Sequence, residues 1–381
     1  MKIKLDKEEL VSKLQIVQNL ISQRATLPVL SNYLIETDAN SGKLWITSTN
    51  LEIGIRTPLS ANVLEGGSIT IPAKKLGEII HNLPSNGSAG DVEIRLLENN
   101  RIQVIGAKSR FQLVGIPKED YPVLPEFQNK TVLEISAKTL VRMIEKTICA
   151  VSADETRYVL NGILFTVSNG VASMVATDGR RLAVVSEPGL LKTVSIGVIV
   201  PAKAFSEVVK VAYHCDKDLK ASIFIDITEN QIGFRIGETL MFSRLIEGNF
   251  PNWEQVIPKK EAIVVRADRE KFLSVTRRAA LCITDRAGTC RYKFFKDRCQ
   301  VSSKTAGHYE FEEEADLVSY SGPEGFEIAF NPGYVTDFLK TVAGDAFEIY
   351  LSTSVNPVLF RSEGESPQYN YVVMPMRTQS S

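Results

Sequence analysis

Two rhythms of apolar and polar residues alternate along this chain. After a short strand at Lys2 to Leu5, apolar residues recur at three- and four-residue steps over about Lys7 to Leu20, which predicts an amphipathic helix. Segments at 33–38, 43–48, 51–57 and 59–64 then alternate residue by residue, as strands with one buried face do, with turns at Asn40-Ser41-Gly42 and Gly66-Gly67. A strand at 68–71 runs into Pro72 and a second helix of about three turns, and strands follow near 91–97, 101–106 and 109–116. The local plan is strand, helix, several strands, and then the same again.

The plan itself is repeated. Ile71-Pro72-Ala73-Lys74-Lys75-Leu76 returns as Val200-Pro201-Ala202-Lys203-Ala204-Phe205 and, more loosely, as Phe330-Asn331-Pro332-Gly333-Tyr334-Val335. Pro72 and Pro201 are 129 residues apart, and Pro201 and Asn331 are 130 apart. Each copy closes a β-rich run with Pro or Asn at a helix start, where a missing N–H or a capping side chain is favoured. Other landmarks keep the period: Leu10, Leu140 and Phe272, the threonines Thr49, Thr177 and Thr305, and the pairs Tyr121-Pro122 and Phe250-Pro251. Spacing alone therefore predicts an α+β chain of three tandem domains, at 1–127, 128–258 and 259–381. The later helices fall at about 137–150, 202–213, 269–281 and 333–343, with linkers rich in Pro and charge at 117–129 and 250–260.

A length of 381 residues with 44% hydrophobic residues accommodates that many cores. No apolar run approaches the roughly 18 residues of a membrane span. The amino-terminal MKIKLDKEEL carries no export signal, so a cytoplasmic protein without membrane association is expected. Five cysteines without a CxxC pair fit a reducing compartment, and three scattered histidines (His81, His214, His308) complete no metal site. Net charge is −1, but it is unevenly spread. With their flanking residues, over 6–20, 72–83, 136–150, 201–213, 267–281 and 332–343, the six helical stretches hold fourteen Lys and Arg against nine Asp and Glu, so they carry +5 and the remainder −6. Lys138, Arg142 and Lys146 lie at i, i+4 and i+8, and Lys203 and Lys210 at i+7, predicting cationic helix faces suited to a polyanion.

Nothing points to catalysis. The chain has no Walker loop, GxSxG, HExxH or dinucleotide fingerprint, and Asp178 in Ala176-Thr177-Asp178-Gly179-Arg180-Arg181 has no partner at readable spacing. No catalytic residue, metal or cofactor is expected.

Tyr158-Val159-Leu160-Asn161-Gly162, Ala176-Thr177-Asp178-Gly179-Arg180-Arg181-Leu182-Ala183, Gly248-Asn249-Phe250-Pro251 and Tyr371-Val372-Val373-Met374-Pro375-Met376-Arg377 resemble the bacterial DNA sliding clamp, the beta subunit of DNA polymerase III. The resemblance covers the whole chain in order and is loosest between Thr284 and Glu314. It implies three domains of the DNA-clamp fold, each with two helices inside and two antiparallel sheets outside, that form half of a ring. Two chains, head to tail, would then encircle duplex DNA and slide without reading sequence, tethering the replicative polymerase for processivity. Cationic inner helices within an acidic rim suit that task, because duplex DNA carries one charge per roughly 1.7 Å of axis.

The resemblance assigns DNA contacts to Arg24, Lys74 and Tyr158, and charge geometry adds Lys138, Arg142, Lys146, Lys203 and Lys210. It places a cleft for a short linear peptide at Leu160, Thr177, Gly179, Arg181, Leu182, Pro251, Val256, Asn331, Tyr334, Val355, Val372, Met374, Pro375 and Met376. Its implied occupants are the DNA polymerase III alpha subunit, the clamp-loader delta subunit, other DNA polymerases, mismatch-repair proteins and ligase. Methionine and aliphatic linings suit many partners. Ring closure is assigned to Phe111 and Leu113 on one side and Leu281 and Cys282 on the other. Thr378 and the Gln379-Ser380-Ser381 tail stand where the family commonly ends at Leu, and Trp253 and Gln255 where Tyr and Arg are usual, so peptide preference is expected to differ.

Overall fold

The computed structural model describes residues 1–21, 27–38, 42–84, 92–127, 132–189, 195–259, 263–284, 288–305, 307–362 and 369–377. Six α-helices stand among them: α1 (Lys7–Val17), α2 (Ala73–Asn82), α3 (Ala137–Thr147), α4 (Ala202–Cys215), α5 (Arg269–Ala280) and α6 (Pro332–Thr341). The predicted helices over 7–20 and 137–150 end early as α-helix and finish in single 3₁₀ turns, Gln18–Leu20 and Ile148–Ala150.

Caps explain why the helices start where they do. Asp6 accepts the Glu9 N–H at 2.8 Å, Ser136 the Thr139 N–H at 3.1 Å and Asp268 the Lys271 N–H at 2.8 Å. These three caps open the first helix of each repeat, and each satisfies a donor that the helix itself leaves orphaned. At the start of α6, Asn331 accepts the Gly333 N–H at 2.8 Å and Pro332 takes the first helical position. The ends are satisfied from the sheets: the Ser48 hydroxyl donates to the Val17 carbonyl at 2.8 Å and Ser303 to Ala279 at 2.6 Å.

By contact density the chain forms two compact units. The first comprises Met1–Val141 and Lys203–Leu245. Its five-stranded sheet runs in the order Asn62–Glu65, Lys2–Leu5, Val92–Leu96, Arg101–Gly106, Ser109–Val114. Its eight-stranded sheet runs Val132–Ser136, Ser222–Ile227, Gln231–Ile236, Thr239–Arg244, Ile53–Ser60, Lys43–Thr49, Asn32–Asp38, Ser68–Pro72. That sheet joins strands of the first and second repeats through the pairing of Leu240–Ser243 with Ile53–Arg56. Leu10, Leu76 and Ile80 of α1 and α2 are buried with the inward residues of the strands.

The predicted strand break after residue 57 does not occur. Ile53–Ser60 is one strand and runs through Pro58. Its neighbour Thr239–Arg244 pairs only up to Arg56, so among the described residues Pro58 has no strand partner on that side and its absent N–H leaves no ladder bond unmade.

The second unit comprises Arg142–Ala202 and Ile246–Ser381. Its antiparallel sheet has twelve strands, in the order Ile196–Pro201, Gly162–Ser168, Val171–Thr177, Arg181–Pro188, Tyr369–Val373, Val358–Ser362, Ala346–Leu351, Ile263–Asp268, Tyr309–Tyr320, Arg298–Thr305, Cys290–Phe294, Phe326–Phe330. Arg181–Val185 pairs with Tyr369–Val373, again joining two repeats. Phe338 of α6 is fully buried, with the rings of Phe347, Phe360, Tyr369 and Tyr371 at 5.4 to 6.0 Å. The loosely matched stretch from Thr284 to Glu314 holds a long hairpin in which Arg298–Thr305 pairs with Tyr309–Asp316.

Candidate functional site

A closely hydrogen-bonded turn at Thr177-Asp178-Gly179 organises one part of the second unit. The Thr177 hydroxyl accepts the Gly179 N–H at 3.0 Å and donates to the Arg181 carbonyl at 2.6 Å. One oxygen of Asp178 takes the N–H groups of Arg180 and Arg181, at 2.8 and 3.0 Å. Gly179 has φ +84°, the left-handed region open to glycine, and a Cβ there would meet the Arg157 guanidinium at 3.0 Å. The first repeat builds the same turn: Thr49 bonds the Leu51 N–H and the Ile53 carbonyl, and Asn50 takes the N–H groups of Glu52 and Ile53. There Leu51 holds φ +74°.

The turn aims Arg181 inward. Its guanidinium bonds Asp178 at 3.1 Å, Asp337 of α6 at 2.6 Å and the Tyr371 hydroxyl at 3.2 Å, and lies 4.4 Å above the Tyr334 ring. Burial alone would lower the Arg181 pKa, but Tyr371 and Asp337 together outweigh it and hold the group above its ordinary value. Burial drives the Tyr371 phenol well above its usual range. Beside this network the Met374 N–H donates to the Arg180 carbonyl at 2.9 Å, carrying the chain past the end of its strand.

Between these pieces lies a cavity of about 380 Å³. Leu160, Leu182 and Val372 form its buried apolar floor, and Thr177, Gly179, Arg181, Pro251, Val256 and Met374 complete the predicted part of the wall. Asn252, Trp253 and Pro357 also line it and were not among the predicted cleft residues. Trp253 stood out in the sequence only as a departure, and nothing local marked Asn252 or Pro357. The remaining predicted cleft residues lie outside the cavity. Asn331 caps α6 and Tyr334 supports Arg181 from below. Val355 is 65% exposed, and the Met376 N–H bonds the Ala329 carbonyl at 2.8 Å, leading Pro375 and Met376 along the strand Phe326–Phe330. Thr378 and the tail fall outside the described residues.

The predicted DNA-contacting cations divide. Lys74, Lys138, Lys203 and Lys210 are exposed, although the Lys210 ammonium lies 2.8 Å from Glu207. Arg142 is half-buried and bonded to Glu187 at 2.8 Å. Lys146 is not on a cationic surface. It is 4% exposed, with its ammonium 4.7 Å above the Tyr369 ring. At 3.6 residues per turn an i, i+8 step drifts by about 80°, which carries Lys146 off the face of Lys138 and into the core. Tyr158 is 58% exposed in the 3₁₀ segment Glu155–Asn161. Arg24 lies outside the described residues.

Phe111 and Leu113 belong to Ser109–Val114, the outer strand of the five-stranded sheet, with Phe111 exposed and Leu113 half-buried. Leu281, just past α5, is 81% exposed, and the carbonyl of Cys282 accepts the Thr305 hydroxyl at 2.6 Å. Among the described residues no cluster of His, Cys, Asp and Glu could hold a metal ion, and no helix is long and apolar enough to cross a membrane.

Residues 1–125, 134–252 and 254–377 match the family models of the N-terminal, central and C-terminal domains of the DNA polymerase III beta subunit. The beta sliding clamp of Chlamydia pneumoniae is 32% identical over 378 residues, covering 99% of each chain. That of Escherichia coli strain K12 is also 32% identical over 378 residues, covering 99% of this chain and 100% of its own. Among solved structures, the DNA polymerase sliding clamp of Bacillus subtilis superposes with a TM-score of 0.92 at 26% identity over 100% of both chains. A Pseudomonas aeruginosa sliding clamp bound to griselimycin gives 0.91 at 30% identity over 99% of this chain and 100% of that one. With all three domain models present in order and relatives matched from end to end, the chain belongs to the DNA polymerase III beta subunit family, the beta sliding clamps.

Proposed function

We propose that two copies of this chain close head to tail into a ring that encircles duplex DNA, and that the 380 Å³ cavity of the second unit receives short peptides of its partners. The chain is a non-catalytic processivity subunit of the clamp type: it slides without reading sequence and tethers the replicative polymerase. The observation that carries the peptide reading is the cavity itself. An apolar floor, a mobile thioether at its mouth and a rigid Arg181 network beneath it form a preorganised receptor for one or two apolar side chains. Its occupants are the DNA polymerase III alpha subunit, the clamp-loader delta subunit, other DNA polymerases, mismatch-repair proteins and ligase, in the cytoplasm. The domains divide at 1–127, 128–258 and 259–381.

The exposed helix cations Lys74, Lys138, Lys203 and Lys210 supply phosphate contacts, joined by Tyr158 and Arg24, with Arg142 available on release from Glu187. Two edges that are open among the described residues support ring closure. Ser109–Val114 pairs on one side only and carries Arg110, Phe111 and Leu113. Tyr309–Asp316 pairs only with Arg298–Thr305, because Ile263–Asp268 takes up its other side from Leu317 onward, and it carries Glu310, Glu312, Glu313, Glu314 and Asp316. Arg110 on the first edge and the carboxylates on the second are of opposite charge and face each other across two copies in this reading, and Leu281 and Cys282 lie beside the acidic hairpin.

The test is retention after loading. The assembled protein is expected to stay on closed circular DNA and to run off once the circle is cut. Equal retention on both forms would mean ordinary binding and would overturn the ring. Met374→Ala is expected to weaken a fluorescent polymerase peptide at least tenfold while sedimentation still shows a dimer, and the reverse pattern would refute the assignment of the cavity.

A further inference from the structure

The repeat sets the two linkers side by side for comparison, and they pack differently. In the second unit Phe250, Trp253 and Ile257 pack onto a buried apolar cluster that includes Val175, Leu182 and Val184. The residues 128 positions earlier are Thr47, Gly54 and Arg56, and Leu124 stands 129 before Trp253. An apolar floor has thus become a partly polar one, and the indole has become an isobutyl group. Leu124 settles onto Gly54, where a Cβ would come within 2.3 Å of its side chain. A groove of about 590 Å³ remains in the first unit between the Tyr121–Phe127 linker and the eight-stranded sheet.

The groove is apolar along Leu34, Leu240 and Phe242 and holds unmet donors at its floor. Thr47 is 3% exposed, and its hydroxyl has no hydrogen-bond partner among the described residues. The Arg56 Nε is buried and also without one, while the other end of the guanidinium lies 3.4 Å from Glu36 and its plane sits 4.7 Å above Trp45. Lys118 reaches the same carboxylate at 3.6 Å, so two cations share one inner anion, and Glu126 stands exposed at the rim. A buried donor without an acceptor is unfavourable wherever water is excluded, and it becomes favourable once a carboxylate or carbonyl arrives.

We propose that this groove is a second docking site, for an acidic peptide segment in which a large apolar side chain adjoins an Asp or Glu. The apolar side chain lies against Leu34, Leu240 and Phe242, and the carboxylate takes the Thr47 hydroxyl and the Arg56 Nε while displacing Glu36 from part of its pairing. The site is separate from the 380 Å³ cavity and does not depend on what that cavity binds.

The chain has two tryptophans, Trp45 beside this groove and Trp253 in the other cavity, so Trp253→Phe leaves Trp45 as sole reporter. The full-length Trp253→Phe protein is titrated with an N-acetylated, C-amidated tetrapeptide of sequence Leu-Phe-Asp-Asp. A saturable change in Trp45 emission is expected, with affinity at least tenfold weaker in Arg56→Gln and in Thr47→Val, and at least tenfold weaker for the neutral Leu-Phe-Asn-Asn peptide. Circular dichroism establishes that each variant is folded. No saturable change up to millimolar peptide overturns the proposal, as does binding that both variants leave unaltered. Equal affinity for the neutral peptide overturns the acidic assignment.

Discussion

Replacing Arg181 by Met is the most informative single change. Its side chain is 11% exposed, and its partners Asp178 and Asp337 are 15% and 32% exposed. Removing one member of a buried ion pair costs about 3–5 kcal/mol, because the other is left charged and unpaired. Two features place this case at the low end. Asp178 keeps its two backbone N–H bonds, and water can reach Asp337. The buried Tyr371 hydroxyl does lose a partner, which itself costs roughly 1–3 kcal/mol, so a total of about 3 kcal/mol is expected. For a unit of this size that corresponds to a fall of about 6–12 °C in its melting transition. Asp337→Leu in the same background is expected to recover at least about 1 kcal/mol, since no orphaned carboxylate remains on α6. Differential scanning calorimetry of the wild type, both single variants and the double variant closes the cycle. A fall below about 2 °C for Arg181→Met, or costs that simply add in the double variant, would refute the view that this guanidinium holds α6 to the cavity floor.

Three further outcomes follow from the packing and the charges. Phe338→Ala, which empties the centre of a five-ring cluster, is expected to cost about 3–5 kcal/mol and to shift only the calorimetric transition of the second unit. The carboxylates of Asp216 and Glu93 are held below their ordinary pKa, Asp216 by the Ala221 and Lys220 N–H groups and Glu93 by the Arg95 guanidinium. Their stabilisation is full above the unfolded carboxylate range of about 4 and is lost as pH falls through the lower folded values, so the melting gap between wild type and Asp216→Ala, present at pH 7, should narrow as pH falls from about 4. A gap that stays constant down to acid unfolding would contradict the assignment. Burial pushes the thiols of Cys149 and Cys290 up to about 11 and about 12, so a thiol reagent at pH 8 should label both only after unfolding, as mass spectrometry of timed samples would show.

Much of this protein is written in short-range chemistry. The period, the strand and helix alternation and the first-helix caps at Asp6, Ser136 and Asp268 follow from the spacing of apolar residues and from side chains within three positions of their partners. The Thr177-Asp178-Gly179 turn is equally local, whereas the cavity beside it was expected only through the resemblance to the family. What the sequence could not supply is pairing between distant segments, because periodicity states which face a residue takes and not what it meets there. Asp337 lies 156 residues from Arg181, and Pro357 is brought to the cavity by the strand it precedes, Val358–Ser362, which pairs with Tyr369–Val373 and so with Arg181–Val185, while Trp253 reaches it by packing on a cluster drawn from both. The same limit misplaced Lys146, since a helical stripe of cations drifts around its axis and the residue that turns inward is decided by the sheet it meets.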